Sequence, residues 1–264
     1  MKSVKSTILI NNYNNGLYLD QCLASCINQT HKNLQVILFD DNSTDNSIEI
    51  INRYRNKIEF FISNSKNRSN SGPLNQLNIL YEALDVIKGD LIFLLDGDDF
   101  FENTKVEKIS DFSNKKNFDL IQDQPFLYSD KKIKILKKSR KILYLNNSWP
   151  SFYPTSTMCF KKNSFRKILE NMSFLKNKYD KVFFDFRSVV QIQLLNYINI
   201  SFNQPLTYWR QNLKGDTAGY SLLKRKWWER RMQCHLFKKS ISNKYNIKFK
   251  LNADYFLTSL ISKF

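Results

Sequence analysis

Three aspartates in four positions, Asp96, Asp98 and Asp99, follow directly on five apolar residues, Leu91-Ile92-Phe93-Leu94-Leu95. A buried strand that ends this way gathers like charges closely, which is unfavourable unless a cation sits among them. Carboxylate oxygens are the ligands that Mg2+ and Mn2+ prefer, and Mg2+ commonly takes one or two carboxylates together with substrate phosphates. The plain alternative is helix capping, for Asp is a favoured N-cap. Two further polar turns carry the same ambiguity: Asn11-Asn12-Tyr13-Asn14 after an apolar run, and Asp40-Asp41-Asn42-Ser43-Thr44-Asp45 after another.

The elements that must hold these turns can be read from the pattern. Residues 7–10, 34–39, 58–62 and 90–95 are short apolar strands, and residues 17–27, 48–54 and 73–87 show helical spacing between them. Strands alternating with helices imply right-handed crossovers and a mostly parallel sheet covered on both faces, an α/β fold. In such a sheet ligands bind beyond the carboxyl ends of the strands, and here three of those ends are polar and two acidic. Past residue 100 the pattern weakens. Helices are expected near 102–112, 163–170 and 183–195, strands near 118–122, 155–160 and 198–202, and a hairpin or basic loop over 133–144.

Composition narrows the classes. The 264 residues hold 42% hydrophobic side chains, enough for a substantial core, and no run of 18 apolar residues that would cross a membrane. The N-terminus has no signal-peptide core, so the expected location is cytoplasmic. Four cysteines and two histidines make neither a disulfide framework nor a zinc pattern, and Cys22 and Cys26 sit at core spacing on one helix face. The net charge of +17 is uneven: residues 1–100 carry nine basic against twelve acidic side chains, and residues 101–264 carry 32 against 12. The basic half suits an anionic surface, above all residues 222–264, where Trp227 and Trp228 lie among arginines and lysines.

The ordered set of motifs resembles the family 2 glycosyltransferases with the GT-A fold. The residues that carry the likeness are Thr7-Ile8-Leu9-Ile10-Asn11-Asn12-Tyr13-Asn14, Val36-Ile37-Leu38-Phe39-Asp40-Asp41-Asn42-Ser43-Thr44-Asp45, and Lys88-Gly89-Asp90 leading to Asp96-Gly97-Asp98-Asp99. The resemblance implies a doubly wound, mostly parallel central sheet flanked by helices over residues 1–220, with a nucleotide-sugar and metal half (1–100) and an acceptor half (101–220). Residues 221–264 would form a basic, aromatic-rich helical extension. The implied activity is inverting, metal-dependent transfer of a sugar from a nucleotide donor, a UDP-sugar by expectation, to a hydroxyl of a glycan or lipid-linked acceptor. Asn11, Tyr13, Asp41 and Asp96 would contact the nucleotide, Asp98 would ligate Mn2+ or Mg2+, and Asp99 is left as the cap of the next helix.

The same resemblance implies a carboxylate base ahead of a helix in the second half. Asp185 in Phe183-Phe184-Asp185-Phe186-Arg187 fits, with Asp180 as the alternative and an Asp185–Arg187 ion pair as the plain reading. Thr155, in a stretch resembling the acceptor strand, and Arg210 and Gln211, before Thr217-Ala218-Gly219, are the further acceptor or phosphate contacts. Gln211 stands where the family usually has histidine, and Asn75-Gln76-Leu77-Asn78 where it has Ala-Arg-Asn. Arg68 or Arg210 is therefore expected to supply the phosphate clamp. A sugar nucleotidyltransferase fits less well, because residues 12–16 lack a Gly-rich, basic triphosphate loop. A non-catalytic basic protein binding membrane or nucleic acid is a third reading. No nucleic-acid motif accompanies the charge, so the expected surface is the inner, anionic face of a membrane, on which the enzyme would be peripheral.

Overall fold

The computed structural model describes residues 3–63, 68–129, 132–136, 150–211 and 224–262. Four strands, β1 (Ser6–Asn12), β2 (Leu34–Asp40), β3 (Glu59–Ile62) and β4 (Leu91–Asp96), pair in parallel in the order β3-β2-β1-β4. Helices α1 (Gly16–Ile27), α2 (Ser47–Tyr54) and α3 (Gly72–Ala83) link them. Because helices cover both faces, β1, β2 and β4 are nearly continuous apolar runs. Alternation then sorts their side chains: Leu9, Ile37 and Leu94 enter one core layer, and Ile8, Ile10, Leu38, Phe93 and Leu95 the other. Cys22 and Cys26 are buried free thiols of the second layer, as their spacing implied.

Beyond β4 the sheet becomes mixed. Strand β5 (Phe100–Phe101) and helix α4 (Lys105–Ser113) lead to β6 (Leu120–Ser129), which pairs antiparallel with β7 (Lys132–Ile135). Residues 155–160 are not one strand: a 3-10 turn, Thr155–Thr157, precedes β8 (Met158–Lys161), which joins β4 antiparallel. After α5 (Lys162–Asn171) and α6 (Phe184–Leu194), β9 (Asn199–Arg210) runs parallel to β6 and antiparallel to β5. It is more than twice the length read from sequence. Register shifts around Gln124, next to Pro125 on β6 and facing Pro205 on β9, absorb two residues that lack a ladder donor, so the pairing continues past them.

The C-terminal segment is helical: α7 (Arg225–Lys244) and α8 (Ala253–Ile261). Cys234, Phe237 and Ile241 of α7 enter the same core layer as Phe165, Phe184 and Phe186. The boundary expected at residue 220, the segment Thr217-Ala218-Gly219 and most of the expected hairpin or basic loop 133–144 lie outside the described residues.

Candidate active site

The parallel register aligns the polar strand ends. Asn11 of β1 is the partner of Asp96 on β4, and Asn12 is the partner of Asp40 on β2. Gly97 N donates to Asn11 O (2.9 Å) and Asp41 N to Asn12 O (2.8 Å), so the turns after β2 and β4 both hang on the end of β1. Gly97 leaves room for Asn12 there, since a Cβ would stand 2.5 Å from Asn12 Oδ1 and force that side chain to shift.

The six-residue turn 40–45 divides its labour. Asp40 accepts from Ser43 N (2.8 Å), Ser43 Oγ (2.6 Å) and Asn12 Nδ2 (2.7 Å), and Asp45 accepts from Gly16 N (2.8 Å) and Ser47 N (3.0 Å). Both are structural. Asp41 points elsewhere, with its Oδ2 receiving Arg68 Nε at 2.7 Å while the Arg68 guanidinium lies 3.3 Å from the centre of the Tyr13 ring. Burial raises the Asp41 pKa, and Arg68 opposes that rise. Arg68, offered by sequence as a phosphate clamp, is thus committed to Tyr13 and Asp41. Around this group lie buried polar atoms without a protein partner: Asn11 Nδ2 and Oδ1, Asp41 Oδ1 and Gln76 Oε1. Buried polar atoms are normally satisfied, and a cluster of orphans at the strand ends is what a polar ligand leaves when absent.

The acidic turn is differentiated too. Asp96 accepts from Gln76 Nε2 (3.0 Å), so the stretch Asn75-Gln76-Leu77-Asn78 reaches the acidic turn through an amide. Asp98 is half-buried. Asp99 is no helix cap, contrary to the sequence reading. It is buried in the turn before β5, accepts Ser156 Oγ (2.6 Å) and Arg210 N (2.7 Å), and α4 begins only at Lys105. Burial, then the charges of Asp98 and Asp96, hold its carboxyl well above the usual range. That leaves Asp96 and Asp98 as the oxygen ligands a divalent cation would meet. Among the described residues no three His, Cys, Asp or Glu side chains are grouped to hold a metal ion, and an ion held by one or two carboxylates takes its remaining oxygens from waters and substrate phosphates.

A buried network that sequence reading missed supports this turn. Lys105, fully buried, donates to Asp123 Oδ1 (2.8 Å), Ser156 O (2.8 Å) and Thr207 Oγ1 (2.6 Å). Ser156 Oγ in turn accepts Asp96 N (3.1 Å) as it donates to Asp99. Lys105 at the start of an amphipathic helix looks like a solvated lysine, and its partner Asp123 lies 18 positions on, so no local spacing signals the pair. Thr155, the predicted contact, is buried beside Ser156, which makes the bonds. Arg210 reaches the turn through its backbone and donates from Nε to Asp98 O (2.8 Å) and from Nη2 to Gln21 Oε1 (2.6 Å), boxed by Tyr18, Phe100 and Tyr128. Gln211 is exposed, its N–H bonded to Tyr128 O (2.8 Å).

Asp185 sits in the first turn of α6, half-buried, its Oδ1 accepting Phe186 N (2.6 Å). Burial raises its pKa, opposed by Arg230 on α7 and by that N–H. Arg187 is not its partner: the guanidinium is buried against Phe237 and donates to the carbonyls of Lys178, Tyr179 and Val182 (2.8 Å each). Ser188 Oγ, donating to Met158 Sδ (3.7 Å), ties helix α6 to the start of β8. The alternative base, Asp180, is exposed and accepts Gln233 Nε2 at 2.5 Å.

The profile of glycosyl transferase family 2 matches residues 7–183, two thirds of the chain. The chain belongs to this family. An uncharacterized glycosyltransferase of Haemophilus influenzae is 37% identical over 145 residues, covering 53% of this chain and 55% of that protein. The poly(ribitol-phosphate) beta-glucosyltransferase of Bacillus spizizenii is 30% identical over 119 residues, 44% of this chain and 18% of that one. The chain therefore spans about half, or less, of these relatives. Among solved structures, Staphylococcus aureus TarS 1–349 in complex with UDP-GlcNAc superposes with a TM-score of 0.62 at 13% identity, covering 98% of this chain and 70% of that one. The mannosyltransferase PcManGT of Pyrobaculum calidifontis, with GDP-Man and Mn2+, gives 0.57 at 13%, covering 98% and 68%. The likeness to these solved structures shows that this member of the family has the GT-A fold.

Proposed function

We propose that this glycosyltransferase inverts configuration, uses a divalent cation, and moves a sugar from a uridine diphosphate donor to a hydroxyl of a glycan or lipid-linked acceptor. The observation that carries the reading is the cluster of Tyr13, Arg68 and Asp41 with the orphaned amide of Asn11, one strand away from Asp96 and Asp98. Tyr13 offers a ring face for stacking a base, and the carboxylate of Asp41, beside the Arg68 guanidinium, can accept a base N–H. Asp96 and Asp98 would hold the cation, Mn2+ or Mg2+, whose positive charge when bound stabilises the diphosphate that leaves. The acceptor oxygen attacks the anomeric carbon, its proton passes to Asp185, and the anomeric carbon–oxygen bond breaks with its electron pair going to the diphosphate.

Two similarities support the donor and metal assignments: TarS in complex with UDP and UDP-GlcNAc, and PcManGT with Mn2+. Poly(ribitol-phosphate) acceptors in the names of two relatives point to a phosphate-bearing glycan. The test is a donor panel scored for hydrolysis and transfer with Mn2+, comparing wild type, Asp98→Ala and Asp185→Asn. Loss of metal-stimulated hydrolysis in the first, and of transfer with donor affinity retained in the second, is expected. Metal-independent turnover unchanged by either substitution would sink the proposal.

A further inference from the structure

Helix α8 is inside out. Its polar residues Asp254 and Thr258 are buried, whereas Phe256, Leu257 and Leu260 are 59%, 51% and 59% exposed. The preceding Leu251 is 53% exposed. An ordinary surface helix turns its apolar stripe inward. Here the inward face is fixed by charge: Arg231 of α7 donates to both Asp254 oxygens (2.8 Å each), and His235 Nε2 lies 3.1 Å from Oδ2. Asn252 caps the helix by accepting Tyr255 N (2.9 Å), and the Tyr255 ring packs edge-on to His235 at 5.5 Å. The orientation is therefore built in, and the outward apolar face is its product. Trp227 and Trp228, which sequence reading favoured for this role, are half-buried against each other and beneath Arg231.

We infer that the outward face of α8 docks on a bilayer containing anionic lipid. Charge complementarity selects this occupant: Lys248 and Lys250 are exposed beside Leu251, and residues 222–264 carry eleven basic against two acidic side chains, one of which, Asp254, is consumed inside. An apolar stripe rimmed by lysines meets both requirements of an interfacial helix, insertion of large side chains among acyl chains and attraction to headgroup phosphates. A second copy of the chain suits the face less well, because isologous pairing would set one basic rim against another. No helix among the described residues is long and apolar enough to cross a membrane, so the mode is surface binding. This inference is independent of the donor chemistry, since α8 shares no residue with the strand ends.

The experiment is flotation with vesicles of phosphatidylcholine alone and with 30% phosphatidylglycerol (about that fraction mimics an anionic leaflet). Wild type is compared with L257E/L260E and K248E/K250E, with circular dichroism and UDP affinity as controls for folding. Wild type should float with anionic vesicles only. The apolar pair should weaken binding by about a hundredfold and the lysine pair by about tenfold, with UDP affinity unchanged. Failure of wild type to float overturns the inference. So does equal flotation of both variants, or a concentration-dependent dimer in light scattering that L257E/L260E abolishes while wild type ignores vesicles.

Discussion

Replacing Lys105 with methionine removes one half of a fully buried ion pair and leaves Asp123 charged in the protein interior. Both side chains have no exposure, Nζ and Oδ1 are 2.8 Å apart, and burial pulls the lysine pKa down and the aspartate pKa up against their mutual attraction. Breaking such a pair from one side costs about 3–5 kcal/mol. In a chain of this size that should lower the midpoint of thermal unfolding by roughly 6–20 °C. Asp123→Asn strands the ammonium instead and should cost a similar amount, although the amide oxygen can still accept Leu206 N and Thr207 Oγ1. The double variant K105M/D123N leaves no buried charge, so its loss should fall short of the sum of the two by about 2 kcal/mol or more. Urea titrations of the four proteins give that coupling. The functional consequence is separate. Lys105 holds Ser156 O, and Ser156 Oγ joins Asp96 to Asp99, so the double variant should recover stability without recovering metal-stimulated donor hydrolysis. Additive single losses would refute the ion pair as the stabilising unit, and a fully active double variant would refute its role behind the acidic turn.

Three other outcomes follow from the same geometry. Asp185 has its pKa raised by burial, so transfer should rise with pH as the carboxyl ionises, on an acid limb displaced above the ordinary carboxylate range; Asp185→Asn should abolish transfer, and an acid limb that survives in that variant would contradict the assignment. Removal of the guanidinium in Arg68→Ala should weaken UDP binding about tenfold, most at low pH where Asp41 takes up a proton, and titration calorimetry at two pH values that gives the same affinity as wild type would exclude the contact. Burial favours protonation of Asp254, but its bonds from His235 and Arg231 prevail and bring its pKa down to about 2. A depressed carboxylate stabilises above its unfolded pKa and loses that contribution as pH falls through the folded one, so about 2 kcal/mol should vanish between roughly pH 4 and 2, and Asp254→Asn should unfold with a flatter acid dependence over that window.

The first hundred residues were legible because each signal there is local. Continuous apolar runs buried on both faces, separated by helical spacing, identify β1, β2 and β4, and parallel register then brings Asn11, Asp41 and Asp96 to one edge without further information. The turn residues that follow were harder, since Asp40, Asp41 and Asp45 are one type in one turn and only the fold separates two structural carboxylates from the one facing Arg68 and Tyr13. The second half hides its logic in long-range pairs. Asp99 resembles a cap until Ser156 and Arg210, 57 and 111 positions away, are seen to bond it. Strand β9 looks short because Pro205 interrupts its alternation, and the extra residues that β9 bulges out around Pro205 can be recognised only against its partner β6. Helix α8 lies in the stretch 221–264 that the sequence marks only as a basic, aromatic-rich helical extension, and its direction is set by Arg231 and His235 on another helix.

The central claim, that the ends of β1, β2 and β4 form a nucleoside diphosphate pocket whose metal site is completed by the ligand, is tested most directly by calorimetric titration of UDP with and without Mn2+. Wild type should bind UDP more tightly with Mn2+, Asp98→Ala should bind with the weaker, metal-free affinity under both conditions, and Tyr13→Ala should weaken binding under both by a similar factor. Binding of UDP that is indifferent to Mn2+, to Asp98 and to Tyr13, or no binding at all, would contradict the account.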